Sequence, residues 1–435
     1  MITHKYICLL FLLPAAVSAV FLISGQAEAE TLEQAWECAL KDNSGYKASQ
    51  IATEALSSAV DAAKSVRMPS VDAKAGYTQM DEEQALDANL FGQHAEVPLM
   101  EEGSASYSVM ASVPVYTGGS IEKSISAAKE TYNASKEQED GYAQNLKIRV
   151  AEAYVNVLRA ESFLKQAKSH VKNLEAHAYD VESLYLGGMV IVSDQLSAQV
   201  ALADARQKEL QADNAVDLAK AAYNRLLMRP LEQEVFLDEV ETGNGAEREP
   251  LDNLTARALD TRRELKTLDH QIQALRYQAG AIRGGRLPQV GLAGGYNYQE
   301  NKYQVHEDQW VAMLEVRMNL FDGSKIKNQA SSVEQQALAL KAQRSEFATA
   351  VALQVRQAWL DVEETQKRIK VTEAAINLAE KNLQVVRDRY VNGFCSHTEV
   401  LDAETLRVSS RTNAVNAHYD YVISVLKMRY AVGEL

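Results

Sequence analysis

One internal duplication governs what this chain can become. Val113-Pro-Val-Tyr-Thr-Gly-Gly119 returns 205 residues later as Met318-Asn-Leu-Phe-Asp-Gly-Ser324. The same offset carries Ala153-Tyr154 onto Ala358-Trp359, Tyr185 onto Tyr390, Gly188 onto Gly393, Asp194 onto Glu399 and Leu196 onto Leu401. Upstream, Arg67-Met-Pro-Ser-Val71 matches Arg286-Leu-Pro-Gln-Val290 at an offset of 219, so the first copy carries 14 extra residues, read as a longer loop between Met80 and Gly103. One duplication of this length is not a short-period solenoid.

Each copy reads as helix, strand, strand, very long helix, turn, helix. The first spans residues 30–229, with a helix over 31–66, strands near 71–79 and 104–116, a long helix over 119–186, a turn at Gly187-Gly188 and a helix to 228. The second spans 251–435, with a helix over 251–282, strands near 289–298 and 309–321, a long helix over 323–391, a turn at Asn392-Gly393 and a last helix to 432. Residues 230–250, with Pro230, Gly243 and Gly245, read as a linker.

Proline is absent between Pro114 and Pro230 and after Pro288, so the long helices lack their main breaker. Val150, Val157, Leu164, Val171, Ala178 and Tyr185 recur every seven residues, and Val355, Val362, Ile369, Ile376, Leu383 and Tyr390 keep the same heptad. Thr372, Ala379 and Val386 fill the intermediate positions, which makes the narrow stripe of a coiled coil. Ordinary amphipathic helices stop near ~20 residues, whereas these predict rods of about 100 Å.

Lys5, the apolar run Ile7 to Ile23 and Ala27-Glu28-Ala29 read as an export signal over 1–29, with Glu30 starting the mature chain. The alternative is an uncleaved anchor, against which stand the short run and Pro14. Cys38 and Cys395 alone survive cleavage, so no disulfide framework is expected, and their places at opposite ends of the helices predict two free thiols. The net charge of −14 argues against nucleic acid as a partner.

The strands alternate. Ala105, Tyr107, Val109, Ala111, Val113 and Val115 share one face; Ser104, Ser106, Ser108 and Ser112 share the other. Trp310, Ala312, Leu314, Val316, Met318 and Leu320 likewise oppose Glu315, Arg317 and Asn319. Such strands are long enough to cross a bilayer at a tilt. Period 2 alone suits a soluble sandwich equally well. If lipid surrounds them, four strands cannot close around a channel and their edges cannot stay open. Several chains must then share one barrel, and three chains give twelve strands. Ser106, Ser108, Glu315 and Arg317 would face a watery lumen.

At this point the chain resembles the TolC-type outer-membrane efflux proteins. Arg389-Tyr-Val-Asn-Gly-Phe-Cys-Ser-His-Thr-Glu-Val-Leu-Asp-Ala403 is similar to that family's RYxxG…VLDA segment, and Asn416-Ala-His-Tyr-Asp-Tyr-Val-Ile-Ser-Val-Leu426 to its NAxYxYxxxxL stretch. Val113–Gly119 and Leu320–Gly323 match its strand-end signature. The resemblance implies a mainly α fold with a small β part: a homotrimer whose shared barrel sits in outer-membrane lipid and continues as a periplasmic coiled-coil tube. It implies passive conduction, with a periplasmic adaptor and an inner-membrane pump of the RND or ABC type as partners, and no cofactor. The turns at Gly188 and Gly393 would meet the adaptor. Asp194 and Tyr390 match two positions of an inter-helix lock at the mouth; a third, often Arg in the family, is Cys395 here. Glu399 and Asp402, three apart on one helix face, match an acidic constriction ring.

The sequence holds no phosphate loop, GxSxG or HExxH, which disfavours an exported enzyme. Cys395-Ser-His397-Thr-Glu399 follows no recognised zinc spacing. His170 and His177 lie about 10 Å apart on one helix face, too far to share an ion, and read as surface residues flanking the seam. A coiled-coil tether without a conduit is the rival reading; it leaves the four strands unexplained.

Overall fold

The computed structural model describes residues 29–90, 92–240 and 249–435. All of the expected export signal except Ala29 lies outside the described residues. The chain order is α1 (Leu32–Asp42), α2 (Ser44–Ser65), β1 (Ser70–Gln79), β2 (Gln84–Leu90), β3 (Gln93–Met100), β4 (Gly103–Tyr116), α3 (Ser120–Leu186), α4 (Val192–Leu226), α5 (Leu251–Thr261), α6 (Arg263–Gly284), β5 (Gln289–Gln299), β6 (Asp308–Arg317), α7 (Lys325–Val391) and α8 (His397–Val432). Apart from β2 and β3, the two halves repeat one element order.

Both long helices run 67 residues, or about 100 Å. The heptad positions carry them: Val150, Val157, Val171, Val355, Val362, Leu383 and Tyr390 are buried, with Ala379 and Val386 between. Each long helix leaves the sheet through a left-handed residue, Gly119 at φ 76° and Ser324 at φ 69°. Gly118 precedes the first corner at φ 64°, and a Cβ there would stand 2.4 Å from the Gly284 carbonyl, so only glycine fits.

Four elements differ from the expectation. The first helix of each half is broken, at Asn43 and at Arg262, where the backbone turns extended. Asn43 caps α2 by accepting from the N–H groups of Gly45 and Tyr46, and its Nδ2 donates to Leu226 O. Arg262 reaches Gln354 and the Ala431 carbonyl instead. The extra residues after Met80 form an antiparallel hairpin, β2–β3, rather than a loop. Finally, β6 ends at Arg317, short of the expected 321, because its partner β5 begins at Gln289, opposite Arg317.

One antiparallel sheet, ordered β1-β4-β5-β6, joins the halves through the β4–β5 pair. Its two outer strands keep an unpaired edge each within the described sheet. At the other side of the corner, α3 packs on α4, α6 and α8, and α7 packs on α6 and α8.

The largest core cluster gathers Leu32, Ala35, Leu146, Val150, Tyr154, Tyr223, Leu227 and Leu426 at mid-length of the long helices. Tyr154 meets Tyr223 edge-on at 6.0 Å and its Oη lies 2.6 Å from the Glu30 carbonyl. The Glu30 carboxylate accepts two bonds from Arg229, at 2.7 and 2.8 Å, and one from Tyr223 Oη. The start of the expected mature chain is thus anchored in this core.

Candidate functional site

Strand register decides which side chains share a face. Directly opposed residues of an antiparallel pair point the same way. Lys74 opposes Ser108, Ser108 opposes Asn297, and Asn297 opposes Gln309. This makes one polar row across all four strands. Ser106, opposite Gly76, and Glu315, opposite Gly291, lie on the same face, with Arg317 bonded to Glu315 at 2.9 Å. The four expected polar residues therefore do gather on one side of the sheet.

The reverse face is apolar in rows. Val113 opposes Leu292, which opposes Leu314; Val109 opposes Tyr296, which opposes Trp310. Tyr107 stacks on Tyr298 at 4.6 Å between ring centroids, and Tyr296 meets Trp310 edge-on at 5.4 Å. A register shift between Pro114 and Tyr116 sets Tyr116 opposite Val290 on this same face. Tyr107 and Tyr116 are nine residues apart, about 30 Å along a strand. An aromatic band at one end, an apolar middle and Tyr116 at the other end match the lipid face of an outer-membrane barrel. None of the described helices is long and apolar enough to cross a membrane.

At the far end, both turns close in the same manner. Gly188 (φ 70°) donates to Tyr185 O while Met189 donates to Leu184 O; Gly393 (φ 76°) donates to Tyr390 O while Phe394 donates to Arg389 O. Large apolar side chains stand exposed around these tips: Leu186, Met189 and Ile191 on one, Val391 and Phe394 on the other.

Tyr390 sits in an apolar cluster with Val181, Ala198, Leu383, Val386 and Val400. Burial pushes its hydroxyl pKa up, and the charges of Asp194 and Cys395 add to this. Its Oη has no hydrogen-bond partner among the described residues. The Asp194–Tyr390 bond of the expected lock is therefore not made, although Asp194 lies close enough to be felt. Cys395 packs beside Tyr390 and bonds Val386 O at 3.3 Å. Glu399 takes up a capping box with Ser396 and stands 3.6 Å from Arg389, while Asp402, one turn on, is exposed.

The histidines are where sequence reasoning missed most. His177 and His397 are buried, not superficial, and His177 Nε2 meets His397 Nδ1 at 3.3 Å. One turn-pair further along the α3–α8 seam, His170 Nδ1 bonds Glu404 Oε1 at 3.1 Å, and Arg407 holds the same carboxylate. Glu404 is only 2% exposed. Burial alone would raise its pKa, but the His170 and Arg407 hydrogen bonds outweigh burial and bring it down to about 2. The signal was present as a matched spacing: His170 and His177 are seven apart on α3, and His397 and Glu404 are seven apart on antiparallel α8. His397 turns toward His177 and Glu399 toward its cap. The described residues contain no cluster of three or more His, Cys, Asp or Glu that could hold a metal ion.

Known proteins resemble this chain in sequence and fold. TolC of Vibrio cholerae is 22% identical over 98% of this chain and 95% of its own length. The alkaline protease secretion protein AprF of Pseudomonas aeruginosa is 23% identical over 69% of this chain and 64% of its own. Among solved structures, the outer membrane protein VceC of Vibrio cholerae superposes with a TM-score of 0.79 at 16% identity, covering 92% of this chain and 96% of that one. CusC gives 0.77 at 18% identity, with 92% of each chain covered. The fold is thus that of outer-membrane channels, a barrel continued by a helical tube. The model of the family described as Outer membrane efflux protein matches residues 37–227 and again 254–434, one match per half. The chain belongs to the outer membrane efflux protein family: an outer-membrane exit duct for efflux or secretion, a transport protein and not an enzyme.

Proposed function

We propose that three copies of this chain share one twelve-stranded barrel and one periplasmic tube. Through these, substrates handed over by an inner-membrane pump leave passively. The observation that carries this reading is the four-stranded sheet, with lipid-type and polar faces and an open edge on each side. An unpaired edge has no water to bond inside a bilayer, so neighbouring copies must close it. The helices supply a second argument. Within the chain α3 packs on α8, but the duplicated pair α7 and α4 has no comparable contact. Instead α7 exposes the heptad stripe Val371, Leu378 and Val385, and α4 exposes Val192, Leu196 and Val200. Those two stripes suit each other across a copy-to-copy seam. Native mass measurement in detergent should give three chains, and reconstitution should give ion conductance. A monomer soluble without detergent overturns the reading.

On this reading Ser106, Ser108, Glu315 and Arg317 line the barrel, and the apolar tips around Gly188 and Gly393 take up the tips of a periplasmic adaptor. The AprF and TolC likenesses leave drug efflux and type I protein secretion as two uses of one duct, with the pump choosing the cargo. Asp194 and Tyr390 lie at the mouth with Glu399 and Asp402, whose carboxylates, tripled around the axis, attract cations. Because Glu399 is engaged by Ser396 and Arg389, Asp402 should dominate. Asp402→Asn should weaken cation preference and block by multivalent cations in planar-bilayer recording several-fold more than Glu399→Gln does. Equal effects, or none, would remove Asp402 from the conduction path.

A further inference from the structure

The α3–α8 seam ends, next to the turns, in a layer that an apolar coiled coil would not choose. His177 (6% exposed) and His397 (3% exposed) share a hydrogen bond between helices, with ring planes within 3° of each other. Tyr390 from α7 leans on both rings, at 5.9 Å from each centroid. A small cavity of about 110 Å³ adjoins His177, Tyr390, Arg387 and Asp180. Tyr390 Oη and His397 Nε2 are buried without partners among the described residues. The duplicated positions, Asn382 and Val192, carry no titratable group. The histidine layer is therefore confined to the seam within one chain and absent from its repeat-related counterpart.

We propose that the His177–His397 pair is a proton-operated latch, holding α8 against α3 at the duct mouth when neutral and releasing it when both rings are protonated. The latch rests on the duct reading for its consequence, but not for its chemistry. A neutral pair needs one N–H donor and one bare nitrogen. A single proton still leaves one acceptor. A second turns both facing nitrogens into donors, abolishes the bond and sets two cations 3.3 Å apart in a buried site. Separated helices would expose both rings to water, where each takes a proton freely.

The surroundings favour the neutral pair. Burial lowers the His177 pKa to about 4, helped by His397 and by Arg387 on α7, and opposed by Glu404 on α8. Burial likewise lowers His397, opposed by Asp194 on α4. The other titratable groups facing the layer are Asp180 on α3, Tyr390 on α7 and Cys395 in the turn. The sign follows directly. Rings that bind protons more weakly when closed than when open stabilise the closed state fully above the ordinary histidine pKa. That contribution is lost as pH falls from there toward about 4.

The test uses the full-length protein in lipid bilayers. Open probability should rise at least about tenfold between pH 7.5 and pH 5. The apolar double variant His177→Leu/His397→Leu should lose this acid response, and His418→Leu, at an exposed histidine elsewhere on α8, should keep it. In parallel, spin labels at exposed positions 179 on α3 and 406 on α8, with Cys38 and Cys395 replaced by Ser, should move apart in acid. This distance reports the latch even if no conductance exists at any pH, a result that would sink the duct reading alone. If the double variant fails to fold, carbon-13 histidine titration of the wild type decides. Both rings should stay neutral to below the ordinary histidine pKa and then protonate together with helix separation. Ordinary titration of either ring, an unchanged label distance in acid, or an unaltered acid response in the double variant overturns the proposal.

Discussion

Leu292→Arg should abolish the assembled outer-membrane form, whereas Ala293→Arg, one residue along the same strand, should assemble and alter conduction. Leu292 lies in the row Val113–Leu292–Leu314, between the level of Tyr116 and the aromatic band, on the apolar face. Arginine on a barrel's lipid face costs up to about 2–4 kcal/mol, most at mid-depth. Three copies in one barrel would bear that cost three times over, a large fraction of the stability of most folds. Ala293 opposes Ser112 and Met313 on the reverse face. A guanidinium there would meet water and add positive charge to the pore lining. Heat-modifiable trimer on unboiled gels of outer-membrane fractions would report the first effect, and single-channel selectivity the second. If Leu292→Arg assembles like wild type while Ala293→Arg does not, the two faces of the sheet are reversed.

Much of the fold was legible because its determinants are local and periodic. The heptads of α3 and α7 needed only apolar residues every seven positions and no proline. The duplication located the corners and turns, and Gly118, Gly188 and Gly393 stand where positive φ is required. The β2–β3 hairpin was equally local, with Leu86 opposite Val97 and the turn at Gly92 (φ 86°). The duplication offered no counterpart for it, since the second copy lacks these 14 residues, and an insertion reads as a longer loop. The helix breaks show the opposite limit. They fall at corresponding positions, 43 and 262, yet only Asn43 carries a local capping signal. Arg262 breaks its helix through bonds to residues 92 and 169 positions away, which no window of sequence contains.

The candidate site divides in the same manner. Ser106, Ser108, Glu315 and Arg317 were found because strand alternation assigns a face without knowing the partner. The histidine and Glu404 layers were not, because each is closed across more than 200 residues of chain. Considered singly, His170 and His177 occupy positions beside a seam. Only the antiparallel register of α3 on α8 brings His177 to His397 and His170 to Glu404, and makes buried layers of both.

Those two layers should fail in separate acid windows, and Glu404→Ala should be the costliest change within the helical tube. Glu404 is fully enclosed and is held by Arg407, itself 6% exposed, by His170, and more loosely by Arg387 at 3.7 Å. Removing the carboxylate leaves a buried guanidinium without its anion, a defect of about 3–5 kcal/mol. Replacing both partners with apolar residues, Glu404→Leu/Arg407→Met, should recover most of that loss, since it removes the buried charges together. Because the depressed carboxylate is the charged form, its contribution is present above the ordinary glutamate pKa. It is lost as pH falls through about 2, below the window in which the histidine pair protonates. A long multi-element assembly does not unfold as one unit, so the measurement is local. Hydrogen exchange at the amides of α3 and α8 around positions 170 and 404 should accelerate by two to three orders of magnitude in Glu404→Ala, consistent with about 3–5 kcal/mol of lost local stability, and stay near wild type in the double variant. Amides around Tyr154 and Tyr223, in the separate core near Glu30, should be unmoved in both. Uniform acceleration along the whole of α3 would mean that the layer holds the global fold rather than the seam beside the mouth.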